Sequence, residues 1–252
     1  MTLEGKSVLV TGASSGIGSA IAVGCAQAGA DLAITFRRNR EGAEQTATQV
    51  RAAGRRVEQF QTDIGRDEDV ARLSAGLRDR FGRVDVWINN AGADILTGES
   101  GRLTRREKLD LVLAVDLRGT VLASWAAVDL MRAQGGEGST IINMSWDHVI
   151  RGMAGENPIL YSAAKGGVMS FSKSLARDVA PQIRVNILAP GFIETAFGES
   201  ANESFRRKVV AETPLGRWGV PQDIVGAAVF LASDASSFMT GQMIMVNGGV
   251  VM

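Results

Sequence analysis

A strand that runs straight into a glycine-rich turn and then a helix is the feature that most narrows what this chain can become. Residues Ser7 to Val10 are a short apolar, β-branched run closed by Thr11-Gly12-Ala13-Ser14-Ser15-Gly16-Ile17-Gly18. From Gly16 a helical face recurs at Ile17, Ile21, Gly24 and Ala28, and Gly29 ends it. Glycine at such a turn lets the backbone come close to a phosphate or to a neighbouring strand. The helix start adds unpaired N–H groups and a positive dipole end. The turn is therefore a candidate seat for the pyrophosphate of a dinucleotide, with a turn built for packing alone as the plainer alternative.

The same alternation fills the rest of the chain. Strands are expected at Leu32 to Phe36, Val57 to Gln61, Val84 to Ile88, Thr140 to Met144, Ile183 to Leu188 and Met243 to Val246. Between them lie helical stretches: one marked by Ala43, Ala47 and Val50, one by the stripe Val70, Leu73, Leu77 and Phe81, and a long one over Leu109 to Met131. Two more run from Pro158 to Ala180 and from Pro221 to Ala232. Strands alternating with helices imply an α/β fold, a single doubly wound parallel sheet of Rossmann type with helices on both faces. No linker or repeat interrupts the 252 residues, so 1–252 reads as one domain. The stretch 192–215 is polar and weakly patterned, and it reads as a mobile substrate lid.

Charge and composition exclude several function classes. The net charge of +0 leaves no footprint for nucleic acid or an anionic membrane surface. The single cysteine, Cys25, and single histidine, His148, cannot build a disulfide framework or a zinc site, so no metal is expected. No apolar signal core precedes the first strand, and no uncharged apolar run reaches membrane-spanning length. A cytoplasmic protein is expected.

Tyr161 is the only tyrosine, and it stands one helical turn before Lys165. Positions i and i+4 of a helix face the same way, so the phenol and the ammonium point together. A free phenol has a pKa near ~10, and a neighbouring ammonium lowers it by stabilising the phenolate. Such a group can give a proton to a carbonyl oxygen or take one from an alcohol. An ordinary surface helix is the plainer reading of this pair taken alone.

The spacing Thr11-Gly12-x-x-x-Gly16-x-Gly18 resembles the fingerprint of the short-chain dehydrogenase/reductase family. Further family-like segments follow in order along the whole chain: Asn89-Asn90-Ala91-Gly92, Tyr161-Ser-Ala-Ala-Lys165, Pro190-Gly191 and Val246-Asn247-Gly248-Gly249. Within the family, Phe171 to Arg177 and Leu188 to Thr195 are similar to 3-oxoacyl carrier-protein reductases and glucose dehydrogenases, a likeness that fixes no substrate. The resemblance implies hydride exchange between a nicotinamide dinucleotide and a small carbonyl or alcohol. It implies that Gly12, Ser14, Ser15, Gly16, Ile17 and Gly18 hold the pyrophosphate, that Asp63 and Ile64 bracket the adenine, and that Asn90, Ala91 and Gly92 line the adenosine. Pro190, Gly191, Ile193 and Thr195 would meet the nicotinamide, and Lys165 would also bond the nicotinamide ribose. A homotetramer is the common assembly in the family.

The end of the second strand bears on which dinucleotide is used. An acidic residue there would bond the adenosine ribose of NAD, but the chain reads Thr35-Phe36-Arg37-Arg38, with Asp31 at the wrong end. Guanidinium groups grip a 2′-phosphate bidentately, so NADP(H) is favoured through Arg37, then Arg38, with NAD(H) still possible. Many NADP-preferring relatives carry a basic residue where this chain has Ser15.

Two catalytic positions depart from the resemblance. The family asparagine position reads Asp116, within Val115-Asp116-Leu117-Arg118-Gly119, and either a catalytic or a structural role suits it. The family serine falls at Trp146 when counted from the strand and at His148 when counted back from Tyr161. Ser145 is the nearest hydroxyl and the first candidate. Asp147 and His148 are the others, and Trp146 and Met153 are suited to a substrate wall. These irregularities leave a rival function, a nucleotide-sensing or regulatory protein with little turnover.

Overall fold

The computed structural model describes residues 1–196, 198 and 201–252. Phe197, Glu199 and Ser200, part of the expected lid, lie outside the described residues. Strands β1 (Ser7–Val10), β2 (Asp31–Phe36), β3 (Val57–Gln61), β4 (Val86–Asn89), β5 (Ser139–Met144), β6 (Ile183–Pro190) and β7 (Met243–Val246) form a seven-stranded sheet ordered β3-β2-β1-β4-β5-β6-β7. Every pairing is parallel. The order reverses between β1 and β4, and such a switch point opens a crevice at the carboxyl ends of the strands.

The period-two geometry of β1 divides the core. Val8 and Val10 point to one face, where they pack with α1 (Gly16–Gln27), α2 (Arg40–Ala52) and the late helix Pro221–Ala232. Leu9 points to the other face, with α3 (Asp67–Arg80) and two longer helices that include Ala123, Ala127 and Leu175. Both sides of the strand are therefore apolar, as a parallel sheet covered on two faces requires. Truncating one of the fully buried side chains, such as Leu77 or Ile88, costs about 2–5 kcal/mol.

The long helical stretch begins earlier than its apolar stripe. Thr104 and Glu107 form a capping box, Thr104 Oγ1 accepting from the Glu107 amide and the Glu107 carboxylate accepting from the Thr104 amide. This starts α4 (Arg105–Val112), which continues through a π-helical segment, Leu113–Gly119, into α5 (Thr120–Ala133). The run Arg105–Ala133 is long and apolar enough to cross a membrane, with a mean hydropathy of 1.6 in its most apolar window. Its apolar side chains instead face the sheet and α3, as a core helix does. α6 (Glu156–Asp178) follows β5, and α8 is Pro221–Ala232.

β2, β5, β6 and α6 are shifted by one or two residues at their ends, and two further differences have a local cause. β4 starts at Val86 rather than Val84, because the Val84 amide donates to the Gln134 side chain. The stretch 192–215 is not wholly irregular, since it contains α7 (Glu203–Glu212), capped by Asn202. Only Val209 of that helix is buried, so its apolar stripe is too thin to stand out.

Candidate active site

The glycine turn lies at the carboxyl end of β1, where its backbone is pinned from two sides. The Gly12 amide donates to Thr35 Oγ1 at 3.0 Å, and Asn90 Nδ2 donates to the Thr11 and Gly12 carbonyls at 3.0 and 3.1 Å. Gly12 has a φ of +64°, a conformation that favours glycine. A Cβ at Gly18 would lie 2.4 Å from both Asn90 Nδ2 and the Gly12 carbonyl oxygen, so only glycine permits this approach. Ser15 at the N-cap of α1 is exposed and makes no side-chain capping bond. The first amides of α1 are thus open to an anion, and no acidic side chain occupies the first turn. These are the features a pyrophosphate needs, and the residues present fit a dinucleotide.

The other expected dinucleotide contacts gather around this turn. Thr195 reaches the turn from beyond β6, its Cγ2 lying 3.4 Å from a Cβ built at Gly16. Pro190 ends β6 in register with Val246, and the Gly191 amide donates to the Val246 carbonyl. Ile193 is buried and pairs with Gly219. Asp63 and Ile64 follow β3, where Asp63 Oδ1 accepts from the Gly65 amide. Arg37 and Arg38 are exposed just past β2, with the Arg37 guanidinium 4.0 Å from Asp63 Oδ2. Asp31 opens β2 at the opposite end, where Arg55 and the Arg56 amide occupy it. Asn90 Nδ2 is committed to the glycine turn, which fixes the segment Asn90 to Gly92 beside it.

Tyr161 and Lys165 lie on the first turns of α6, with Lys165 Nζ 5.5 Å from the centre of the Tyr161 ring. Lys165 is buried and its ammonium donates to the Met144 carbonyl at 3.2 Å. Asp116, also buried, sits in the π-helical segment with Oδ1 3.0 Å from Lys165 Nζ and Oδ2 accepting from the Ala93 amide at 2.9 Å. π-helical segments are frequent at functional sites, and here one turns a carboxylate toward the lysine.

The charges in this cluster balance in an unexpected direction. Burial pushes the Tyr161 hydroxyl above its ordinary pKa; the Lys165 ammonium pulls it down, and the Asp116 carboxylate pushes it up again. The lowering expected from Lys165 is present but outweighed. Burial disfavours the Lys165 ammonium, yet Asp116 and Tyr161 more than offset it, and its pKa is pushed up to about 12.

The loop between β5 and α6 carries the remaining polar groups. Ser145 Oγ donates to the Lys165 carbonyl at 2.9 Å and its amide donates to the Leu188 carbonyl, so the hydroxyl is fixed on the helix backbone. Trp146 presents its ring edge-on to Tyr161, with centroids 5.5 Å apart, and stacks on His148 at 4.8 Å. His148 meets Phe192 from the loop after β6 at 5.3 Å, and Phe192 packs on Phe205 of α7 and on Trp218. An aromatic wall thus runs from Tyr161 to the segment expected as a lid.

A family model described as Enoyl-(Acyl carrier protein) reductase matches residues 12–251. The chain belongs to the short-chain dehydrogenase/reductase family. Among its relatives, the 3-oxoacyl-acyl-carrier-protein reductase FabG of Thermotoga maritima is 34% identical over 253 residues, covering 100% of both chains. A short-chain type dehydrogenase/reductase from Mycobacterium marinum superimposes with a TM-score of 0.90 at 30% identity, over 99% of this chain and 96% of the other. A gluconate 5-dehydrogenase from Burkholderia cenocepacia, solved in complex with NADP and tartrate, gives a TM-score of 0.86 at 32% identity, over 99% and 96%. The likeness extends over nearly the full length of each.

As a short-chain dehydrogenase/reductase, this chain holds its site with side chains that sequence reasoning passed over. Asn89 Nδ2 donates to Asn143 Oδ1 and Ser124 Oγ, and Asn143 Nδ2 donates to Ser172 Oγ, a buried network tying β4 and β5 to α5 and α6. The Thr11 hydroxyl accepts from the Asn90 and Ala91 amides, fixing the turn after β4 against the glycine turn. Thr11 and Asn89 stand within the family-like segments, while Asn143 shows only as a polar residue near the end of β5.

Proposed function

We propose that this oxidoreductase exchanges hydride between NADP(H) and a carbonyl or secondary alcohol, with Tyr161 as the acid/base. The observation that carries the reading is the Tyr161–Lys165–Asp116 cluster set beside a glycine turn whose amides are open to an anion. The nicotinamide, when bound, supplies or accepts the hydride. Tyr161 gives its proton to the carbonyl oxygen during reduction and takes it back during oxidation. Lys165 holds its charge beside the phenol throughout the working pH range, and Asp116 fixes the ammonium.

Support for NADP(H) comes from Arg37 and Arg38 at the end of β2 and from the distance of Asp31 from that end. The related gluconate 5-dehydrogenase was solved with NADP. NAD(H) remains a usable second cofactor, since Ser15 stands where a cation would add to NADP selection. Residues 1–252 act as one unit, 192–215 as its lid, in a cytoplasmic homotetramer that takes small molecules rather than nucleic acid or membrane as its partners.

The test is a screen of ketones and alcohols with both nicotinamides, read by nicotinamide absorbance. Loss of NADPH absorbance with some carbonyl compound supports the reading. A second reading, a nucleotide-sensing protein, is favoured by one observation: the Ser145 hydroxyl is held by the Lys165 carbonyl and is not free for a substrate. Tight NADPH binding without turnover of any compound would select it.

A further inference from the structure

Asp147 and His148 form a buried pair that the acid/base reading does not use. Asp147 is fully buried, and among the described residues no lysine or arginine pairs with it. Its Oδ1 accepts from the His148 amide at 2.8 Å and lies 2.7 Å from His148 Nδ1. Its Oδ2 accepts from Asn247 Nδ2 at 3.1 Å. A carboxylate can only accept, so Nδ1 carries the ring proton and, in the neutral ring, Nε2 is left as an acceptor. Among the described residues nothing hydrogen-bonds to Nε2.

Anchoring the end of the chain explains half of this arrangement. Asn247 also donates to the Val251 carbonyl at 2.8 Å, so Asp147 holds the C-terminal segment through Asn247. That anchor makes no use of the imidazole. Burying a polar ring is costly unless its groups find partners, and an apolar side chain would complete the same aromatic stack without that cost. The ring is held between Trp146, which touches Tyr161, and Phe192, so it belongs to the cleft wall on the acid/base side.

We propose that His148 Nε2 accepts a hydrogen bond from a substrate hydroxyl, so that the enzyme prefers hydroxylated carbonyl compounds and polyols over plain ketones and mono-alcohols. Asp147 is the positioning residue that fixes the tautomer. The aromatic faces of Trp146 and Phe192 cover the carbon skeleton while Nε2 reads the hydroxyl. The inference rests on the reading of Tyr161 as the group that meets the reacting oxygen.

The test compares acetoin with 2-butanone, which differ by one hydroxyl beside the carbonyl, using NADPH and the full chain. The expected result is a kcat/KM ratio of about tenfold or more in favour of acetoin. His148→Phe keeps a ring in the stack but has no acceptor, and the ratio should fall toward one, mainly through the KM for acetoin. His148→Gln restores an acceptor and should recover part of the preference. An unchanged ratio in His148→Phe, in a protein that still turns over, overturns the inference. So does a preference for a carboxylate-bearing ketone that the same change removes, because the ring would then be donating. The chain has one histidine, so its imidazole nitrogen resonances are unambiguous without any variant. With NADP+ present, acetoin should shift the Nε2 resonance and 2-butanone should not; equal shifts or none overturn the inference. Absence of turnover with every carbonyl compound would instead count against the oxidoreductase reading, and the resonance would still report on the hydroxyl.

Discussion

The two sides of the cleft use their polar groups in opposite ways. On the nucleotide side, Thr11, Thr35 and Asn90 shape the glycine turn so that the first amides of α1 stay open to an anion. On the substrate side several polar groups are already committed to one another. Ser145 bonds the Lys165 carbonyl, Asp116 faces the Lys165 ammonium, and Asp147 holds His148. One side is a backbone cradle for a ligand that many proteins share, and the other is a set of side-chain pairings particular to this chain. The cradle shows itself by its glycine spacing, whereas the Ser145–Lys165 and Asp116–Lys165 pairings join residues on different elements.

The largest effect should separate the two sides most cleanly. Tyr161→Phe should lower turnover by about 10²–10⁴-fold or more and leave NADPH affinity nearly intact. Retained turnover would remove Tyr161 from the acid/base role. Gly18→Ala should damage the nucleotide side instead, because its Cβ meets Asn90 and the Gly12 carbonyl. NADPH and NADH should weaken together, with a stability loss of about 1–3 kcal/mol in thermal unfolding. If only one cofactor suffers, the turn is not the common phosphate seat.

Arg37→Ala sharpens the comparison within the nucleotide side. A guanidinium contact to a phosphate is worth about 1.5–3 kcal/mol, so NADPH should lose roughly 10–100-fold in affinity while NADH changes little. Equal losses would take Arg37 out of cofactor selection. Asp116→Asn is the subtlest change. It removes a carboxylate that pushes the Tyr161 pKa up, so the phenol should ionise at lower pH. Alcohol oxidation needs the phenolate, so its acid limb should move to lower pH. Asp116 also raises the Lys165 pKa, which should fall in the same variant. An unmoved profile would leave Asp116 with a purely structural role.

The same contrast explains what the sequence made legible. β1, β3, β7 and α8 fall within the limits read from the sequence, and Gly12 after β1, Gly248 after β7 and Pro221 at the start of α8 mark three of those limits. The parallel sheet followed from strand–helix alternation, and the glycine turn from its spacing. The start of α4 was missed because Thr104 and Glu107 act through a capping box, a polar signal outside the apolar stripe. The π-helical segment around Asp116 has no periodic trace in the sequence, since it reflects packing against α6 and the Ile64-Gly65 turn after β3. α7 was hidden because one buried residue, Val209, makes no stripe. In the site, Tyr161 and Lys165 were legible from their i, i+4 spacing only together with the glycine turn and the other family-like segments. The orientation of Ser145 was not, because its partner is a backbone carbonyl on a different element.

The central claim is that the Tyr161 phenol moves the proton while the glycine turn only holds the nucleotide. The most direct test measures NADPH binding and NADPH consumption in parallel, for the wild type and Tyr161→Phe, with acetoin as the carbonyl compound. NADPH affinity should be equal in the two proteins, with consumption in the wild type alone. Consumption at a comparable rate by Tyr161→Phe would contradict it.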